Sequence, residues 1–215
     1  MITNKFNFSE NFLDNFTVID EEYEGVSIDR KWHLYQVLDL PMISGSILEF
    51  GVWKGKSLRM ISNHFPSEVV WGFDSFEGLP EDWFTISKTE PSHPKGHFRI
   101  DELPKFGKNV KLVKGFFKET LPQWIQNNQS EIKFIHIDSD LYSSARDILT
   151  MLNPFIVPGT IILFDELYPW GGHEIYLEWQ HGEFKALKEW VIEYDREFEP
   201  LLRSRHMQCS IRIKK

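Results

Sequence analysis

The sequence predicts an α/β fold in which a mostly parallel sheet carries helices on both faces. Three observations support that prediction. Between residues 46 and 194, short apolar runs alternate with amphipathic stretches, and such alternation implies right-handed crossovers between parallel strands. The chain has 215 residues, 41% of them hydrophobic and 15% aromatic, enough for one large domain with a full core. Acids and glycines cluster where the apolar runs stop, and ligands of open α/β sheets bind at the carboxyl ends of the strands.

Residues 1–28 are polar with interspersed Phe and read as an N-terminal arm, extended or partly helical. Residues 29–40, "DRKWHLYQVLDL", begin with the N-cap candidate Asp29 and place apolar residues at helical spacing. "SILEFGVW" (46–53) is a strand running into a glycine turn, and "KSLRMISNHF" (56–65) is an amphipathic helix. "EVVWGFDSF" (68–76) is the second strand. After a long loop, "NVKLVKGFF" (109–117) is the third. The segment "ETLPQWIQNN" becomes helical after its proline. "IKFIHID" (132–138) is the fourth strand, "ARDILTMLNPFI" (145–156) a helix, and "GTIILFDE" (159–166) the fifth strand. A helix over 182–194 precedes a tail, "EPLLRSR" and "MQCSIRIKK", that reads as a closing antiparallel hairpin.

The formal net charge is -8, and Lys and Arg are scattered rather than striped. This argues against a nucleic-acid or polyanion partner. Cys209 is the single cysteine, so internal disulfides are excluded and a reducing compartment is expected. No apolar run approaches the ~18 residues of a spanning helix, and the start "MITNKFNFSE" has no signal-peptide pattern. The expectation is a cytoplasmic protein without membrane contact.

Four clusters at strand ends carry chemistry. In "EFGVWKGKS", Gly51 and Gly55 permit a tight turn around Val52, and Ser57 lies near a helix N-terminus. The G-x-G-x-x-G spacing of a pyrophosphate cradle is missing. Glu49, inside an apolar run, would face a cation such as the amino group of an amino-acid-like ligand. Asp74 ends the second strand about 20 residues beyond the turn, the usual spacing for an acid that accepts ribose hydroxyls. Turn and acid together favour an adenosine ligand, and S-adenosylmethionine fits better than NAD. A plain turn and a capping aspartate explain each feature taken alone.

Asp138 and Asp140 close the fourth strand on one face of its pleat, and Asp165 with Glu166 close the fifth. If the strands are neighbours, four carboxylates converge and require a cation or protonation. Hard oxygen donors suit Mg2+, Mn2+ or Ca2+. Beside a methyl donor, such an ion would bind and acidify a substrate hydroxyl, with one carboxylate taking the proton. Helix capping is the alternative. His136 reads as a core residue. His93 and His97 sit in a loop that could close over a substrate. His173 and His181 flank a Trp-rich segment whose Trp170, Tyr176 and Trp179 could offer faces to a sugar or other ring, or pack.

The stretches "LEFGVWKGKS", "VWGFDSFEGLP", "KGFFKETLP", "FIHIDSDLYSSA" and "PGTIILFDEL" resemble the macrocin O-methyltransferase (TylF-like) family, over about residues 28–195. The resemblance implies a Rossmann-like class I methyltransferase with sheet order 3-2-1-4-5-7-6. It also implies transfer of a methyl group to a sugar hydroxyl with a divalent cation. By the same resemblance Glu49, Gly51 and Gly55 line the methionine part, Asp74 and Ser75 the ribose, and Lys114, Gly115 and Phe116 the adenine. Asp138, Asp165 and Glu166 would hold the ion, and Asp140 would be the general base. Segments like residues 182–186 accompany polysaccharide-synthesis functions in other members, which favours a glycan substrate. The family pair is often Asp-Asp where this chain has Asp165 and Glu166, and Lys56 replaces a glycine. Three competing functions stand beside this: methylation of a phenol or catechol, a noncatalytic cofactor-binding subunit, and, more distantly, a nicotinamide oxidoreductase. A homo-oligomer is compatible with any of them.

Overall fold

The computed structural model describes residues 8, 12–19, 22–23, 26–27, 30–169 and 176–215. Trp170 and His173 of the aromatic segment therefore lie outside the described residues. In chain order the strands and helices begin with β1 (Thr17–Val18), β2 (Glu22–Tyr23), β3 (Val26–Ser27), α1 (Arg30–Leu38), β4 (Ser46–Phe50) and α2 (Lys56–His64). They continue with β5 (Val70–Asp74), β6 (Val110–Lys114), α3 (Phe117–Asn127), β7 (Ile132–Ile137) and α4 (Tyr142–Leu152). The last are β8 (Ile156–Phe164), α5 (Glu183–Glu193), β9 (Phe198–Arg203) and β10 (Cys209–Ile213).

Eight strands form one sheet in the order β1-β9-β10-β8-β7-β4-β5-β6, while β2 and β3 form a separate antiparallel pair. The α/β prediction holds, and from β6 to β9 the long strands follow the expected arrangement. The difference is the added two-residue edge strand β1, parallel to β9. β10 runs antiparallel to both β8 and β9, as the hairpin pattern predicts.

Alternation along the central strands divides the core. Leu48, Phe50, Ile135, Ile137, Ile162 and Phe164 point towards α3, α4 and α5. Ile47, Phe134, Ile161 and Leu163 point towards α1 and α2. All ten are fully buried, so β4, β7 and β8 are the inaccessible middle of the sheet. Burial of each such side chain contributes about 1.5–3 kcal/mol. The arm joins this core: Phe12 is buried, its ring 5.3 Å from that of Phe184. Cys209 of β10 is buried opposite Phe164 of β8, and burial pushes its thiol pKa well up. Among the described residues, no helix is long and apolar enough to cross a membrane.

Two boundaries differ from expectation for physical reasons. α3 begins at Phe117 and carries Pro122 in its interior, so the proline is accommodated at the loss of one backbone bond rather than starting the helix. α4 stops at Leu152, and residues 153–155 tighten into a 3-10 turn around Pro154. β8 then starts early, with an irregular pairing against β7 between Ile132 and Phe134. Thr160 fills that irregularity by donating to the Ile132 carbonyl (2.6 Å) and accepting the Val157 N–H (3.0 Å).

Candidate active site

The parallel strands all deliver their carboxyl ends to one rim, where a cavity of about 800 Å3 opens. Gly51, at the end of β4, has φ +92, and a Cβ there would lie 1.7 Å from the Asp138 carbonyl oxygen. The tips of β4 and β7 therefore touch backbone to backbone, which only glycine allows. Asp74 ends β5 next door. Its carboxylate accepts N–H bonds from Val52 (2.9 Å), Trp53 (2.7 Å) and Phe76 (2.6 Å), clamping the β4–α2 turn. Ser75 accepts from Glu77 N–H and donates to the Gly78 carbonyl, shaping the next turn.

Of the candidate cofactor residues, Gly51, Asp74, Ser75, Phe116 and Asp138 line this cavity, as do Asp140 and Glu166. Val52, Gly55, Ser57, Lys114 and Gly115 are not on its wall. Val52, Gly55 and Gly115 support it instead: Val52 is buried against the α1–α2 side of the core. Gly55, at φ +73, starts α2 against the Phe106 ring. Gly115 N–H donates to the Asp74 carbonyl at 3.0 Å. Glu49 is also absent from the wall. It is fully buried, and the cation it faces is the His136 imidazole, with Nδ1 3.1 Å from Oε1. The parity of β4 explains this, because Glu49 shares the α1–α2 face with Ile47.

The four acids do not share one cage. One oxygen each of Asp138, Asp140 and Glu166 lie within 4.8 Å of one another. Asp165 instead turns behind the cavity wall, 3.6 Å from His136 Nε2 and hydrogen-bonded by Gln208. A second close group, His136, Asp138 and Asp165, places Asp138 between the two sets. Burial lowers the His136 pKa, but the flanking Asp165 and Glu49 carboxylates outweigh it and raise the value to about 10. Nor do Asp138 and Asp140 meet on a pleat. β7 ends at Ile137, and Asp140 takes a left-handed conformation (φ 61) after a tight turn from Ser139 to Leu141 (2.6 Å). That turn folds Asp140 back towards Asp138.

Residues 33–191 match the family described as macrocin-O-methyltransferase (TylF). The chain belongs to that family. The TylF match spans β4 to most of α5 and so includes every acid of the site. A similar protein is the 8-demethyl-8-(2,3-dimethoxy-alpha-L-rhamnosyl)-tetracenomycin-C 4'-O-methyltransferase of Streptomyces olivaceus, 29% identical over 58% of this chain and 53% of its own length. The chain thus spans about half the length of the curated TylF-like relatives it matches first. Among solved structures, the calicheamicin methyltransferase CalS11 is 26% identical and superposes with a TM-score of 0.61, covering 84% of this chain and 76% of CalS11. An O-methyltransferase from Bacillus cereus in complex with SAH shares the fold alone, at 15% identity and TM-score 0.50, over 86% of this chain and 80% of its own.

Several residues of the site escape a reading of the sequence. Glu183, the first residue of α5, is fully buried and reaches both acid-bearing tips. It accepts from Ser139 N–H (3.2 Å) and Oγ (3.1 Å) beyond β7, and from Glu166 N–H (3.2 Å) beyond β8. Burial pushes its carboxyl up to about 8, although those backbone donors pull the other way. An acid at a helix N-terminus ordinarily complements the dipole in solvent, which hides this role. In the long loop, where the sequence singles out His93 and His97, Trp83 and Phe98 are the additions: the His93 ring lies 4.9 Å from Trp83 and 5.5 Å from Phe98. His206 and Met207 reach the wall from the β9–β10 turn.

Proposed function

We propose that the protein is an S-adenosylmethionine-dependent O-methyltransferase that acts on a sugar hydroxyl. The observation that carries this is the trio Asp138, Asp140 and Glu166 facing one cavity whose far wall is the β4–α2 turn, in a chain of the TylF family. The rhamnosyl-tetracenomycin relative supports the choice of sugar. Asp74 and Ser75 would take the ribose, Gly51 leaves room for the methionine part, and Phe116 offers its ring to the adenine.

Three carboxylates of hard oxygen, close enough to repel one another, fit a divalent cation such as Mg2+, Mn2+ or Ca2+. Asp138 and Glu166 would hold it; Asp165, engaged behind the wall, would need to leave His136 and Gln208 to join them. Bound there, such an ion supplies a lower hydroxyl pKa, and S-adenosylmethionine supplies an electrophilic methyl group. Asp140 would accept the hydroxyl proton as the methyl passes from S-adenosylmethionine to the acceptor oxygen, leaving S-adenosylhomocysteine. The aromatic loop excludes water from the reacting atoms. The single, buried Cys209 supports a cytoplasmic setting.

The test is turnover of purified protein with S-adenosylmethionine and Mg2+ against methyl glycosides and catechol. Methylation of a glycoside supports the reading. Methylation of catechol alone would replace the sugar by a phenol. Cofactor binding without any turnover, paired with calorimetry that detects no metal, would make the chain a noncatalytic subunit.

A further inference from the structure

Beside the main cavity lies a smaller one of about 270 Å3. Trp83, Asp140 and Tyr176 line both. The two spaces are therefore divided by one layer of side chains, and that layer includes the carboxylate assigned the proton.

The walls of the smaller cavity combine aromatic side chains, carboxylates and the basic side chains of Lys88 and His181. Trp83, Phe84 and Tyr142 offer aromatic faces, and Glu81, Asp82 and Glu178 offer carboxylates. The carboxylates are already oriented. Glu81 accepts from Ser143 Oγ (2.5 Å), Asp82 accepts the Lys95 N–H (2.7 Å), and Glu178 stands 3.6 Å from His181 and 3.8 Å from Lys88. A carboxylate has about four lone-pair sites, so each retains acceptor capacity. At the dividing layer, Trp83 Nε1 and the Tyr176 hydroxyl are buried and face one another, and among the described residues neither completes a hydrogen bond. Tyr176 is 1% exposed, so bulk water does not serve its hydroxyl. A buried polar group left so is costly, and a ligand hydroxyl that reaches it as the layer yields recovers that cost.

We infer that the smaller cavity is a second carbohydrate subsite, which takes the sugar linked next to the one that is methylated. This rests on the sugar reading above and names its substrate as an oligosaccharide. A pyranose ring presents an apolar C–H face to an aromatic side chain and hydroxyl donors around its edge to carboxylates. A flat aromatic aglycone would fill the same space but strip water from four carboxylates, Glu81, Asp82, Asp140 and Glu178, without supplying donors. The chemistry of the walls therefore selects a hydroxyl-rich neighbour over an aromatic one.

The experiment compares three acceptors built on whichever monosaccharide the enzyme methylates: its methyl glycoside, its phenyl glycoside and a disaccharide extended at the linked position. The disaccharide is expected to have at least a tenfold higher kcat/KM than either glycoside. In Glu178→Gln, whose folding is checked by its thermal shift with S-adenosylhomocysteine, the disaccharide-to-methyl-glycoside ratio should fall at least fivefold. Saturation-transfer NMR on the wild-type protein should mark protons of both rings of the disaccharide. A phenyl glycoside equal to or better than the disaccharide, or NMR contact with one ring only, overturns the subsite while leaving sugar methylation intact. Turnover of catechol with no sugar accepted overturns both.

Discussion

At the β7 tip, three consecutive residues do three things. Asp138 faces the cavity, Ser139 is tied back to Glu183, and Asp140 is turned by its left-handed backbone towards Asp138. Changing Asp140 to Asn keeps the shape and removes the basicity. S-adenosylhomocysteine affinity should stay within about twofold while kcat falls by about two orders of magnitude or more; full activity would remove Asp140 as base. Glu183→Gln tests the brace between the tips. The amide NH2 cannot accept where one carboxyl oxygen now does, so at least one of its three donors loses its partner, at about 1–3 kcal/mol. Thermal stability should drop, and kcat should fall about tenfold or more, since small misplacements of reacting groups are expensive, with the KM for S-adenosylmethionine little changed. Glu183→Asp should recover part of the loss. Unaltered kcat would leave Glu183 only a packing role. Gly51→Ala places a methyl on the Asp138 carbonyl in a backbone region unfavourable to alanine, and a loss above about 3 kcal/mol is expected. Equilibrium urea unfolding would read it.

Among the elements, α1 and β9 are joined through a buried histidine whose protonation makes stability depend on pH. His33 of α1 donates from Nε2 to the Leu202 carbonyl of β9 at 3.2 Å, and its buried Nδ1 has no hydrogen-bond partner among the described residues. Burial lowers its pKa to about 4, although the Leu202 carbonyl pulls it up. The unfolded chain binds this proton near pH 6.5, so between pH 6.5 and 4 the unfolded state holds more of it. Stability from His33 is complete above 6.5 and is lost as pH falls towards 4, by a few kcal/mol on the order of 3. Urea midpoints at pH 5 and pH 7 should differ more for wild type than for His33→Gln. Equal slopes would discard the assignment. The elements themselves are legible in the sequence because apolar runs of strand length alternate with amphipathic ones, as in "IKFIHI" and "KSLRMISNH". Their ends are less so. Pro122 suggests a helix start and sits mid-helix, and Thr160 repairs an irregular pairing that no local pattern announces. Tertiary partners decided both.

For the molecule as a whole, sequence reasoning finds the rim but not the distribution of work along it. Asp138, Asp140 and Glu166 come together as strand-end acids should, whereas Asp165 belongs with His136 and Glu49 on the face towards α1 and α2. Adjacent residues at a strand end point to opposite sides, so the pair Asp165 and Glu166 was bound to divide. Only the packing of helices shows which goes where. Saturating S-adenosylhomocysteine at about 100 times its Kd should stabilise the fold by about 2.7 kcal/mol, roughly 5–10 °C in Tm for a chain of this size. EDTA should leave that shift in place and abolish turnover. If turnover persists after chelation, the acid trio serves without a metal. Cys209 offers a way to time the whole sheet's opening. Its sulfur is sealed between β8 and β9 at zero exposure, and only the thiolate form is nucleophilic. Iodoacetamide can then label the protein only when the sheet comes apart, and the alkylation rate becomes a one-atom stopwatch for global unfolding.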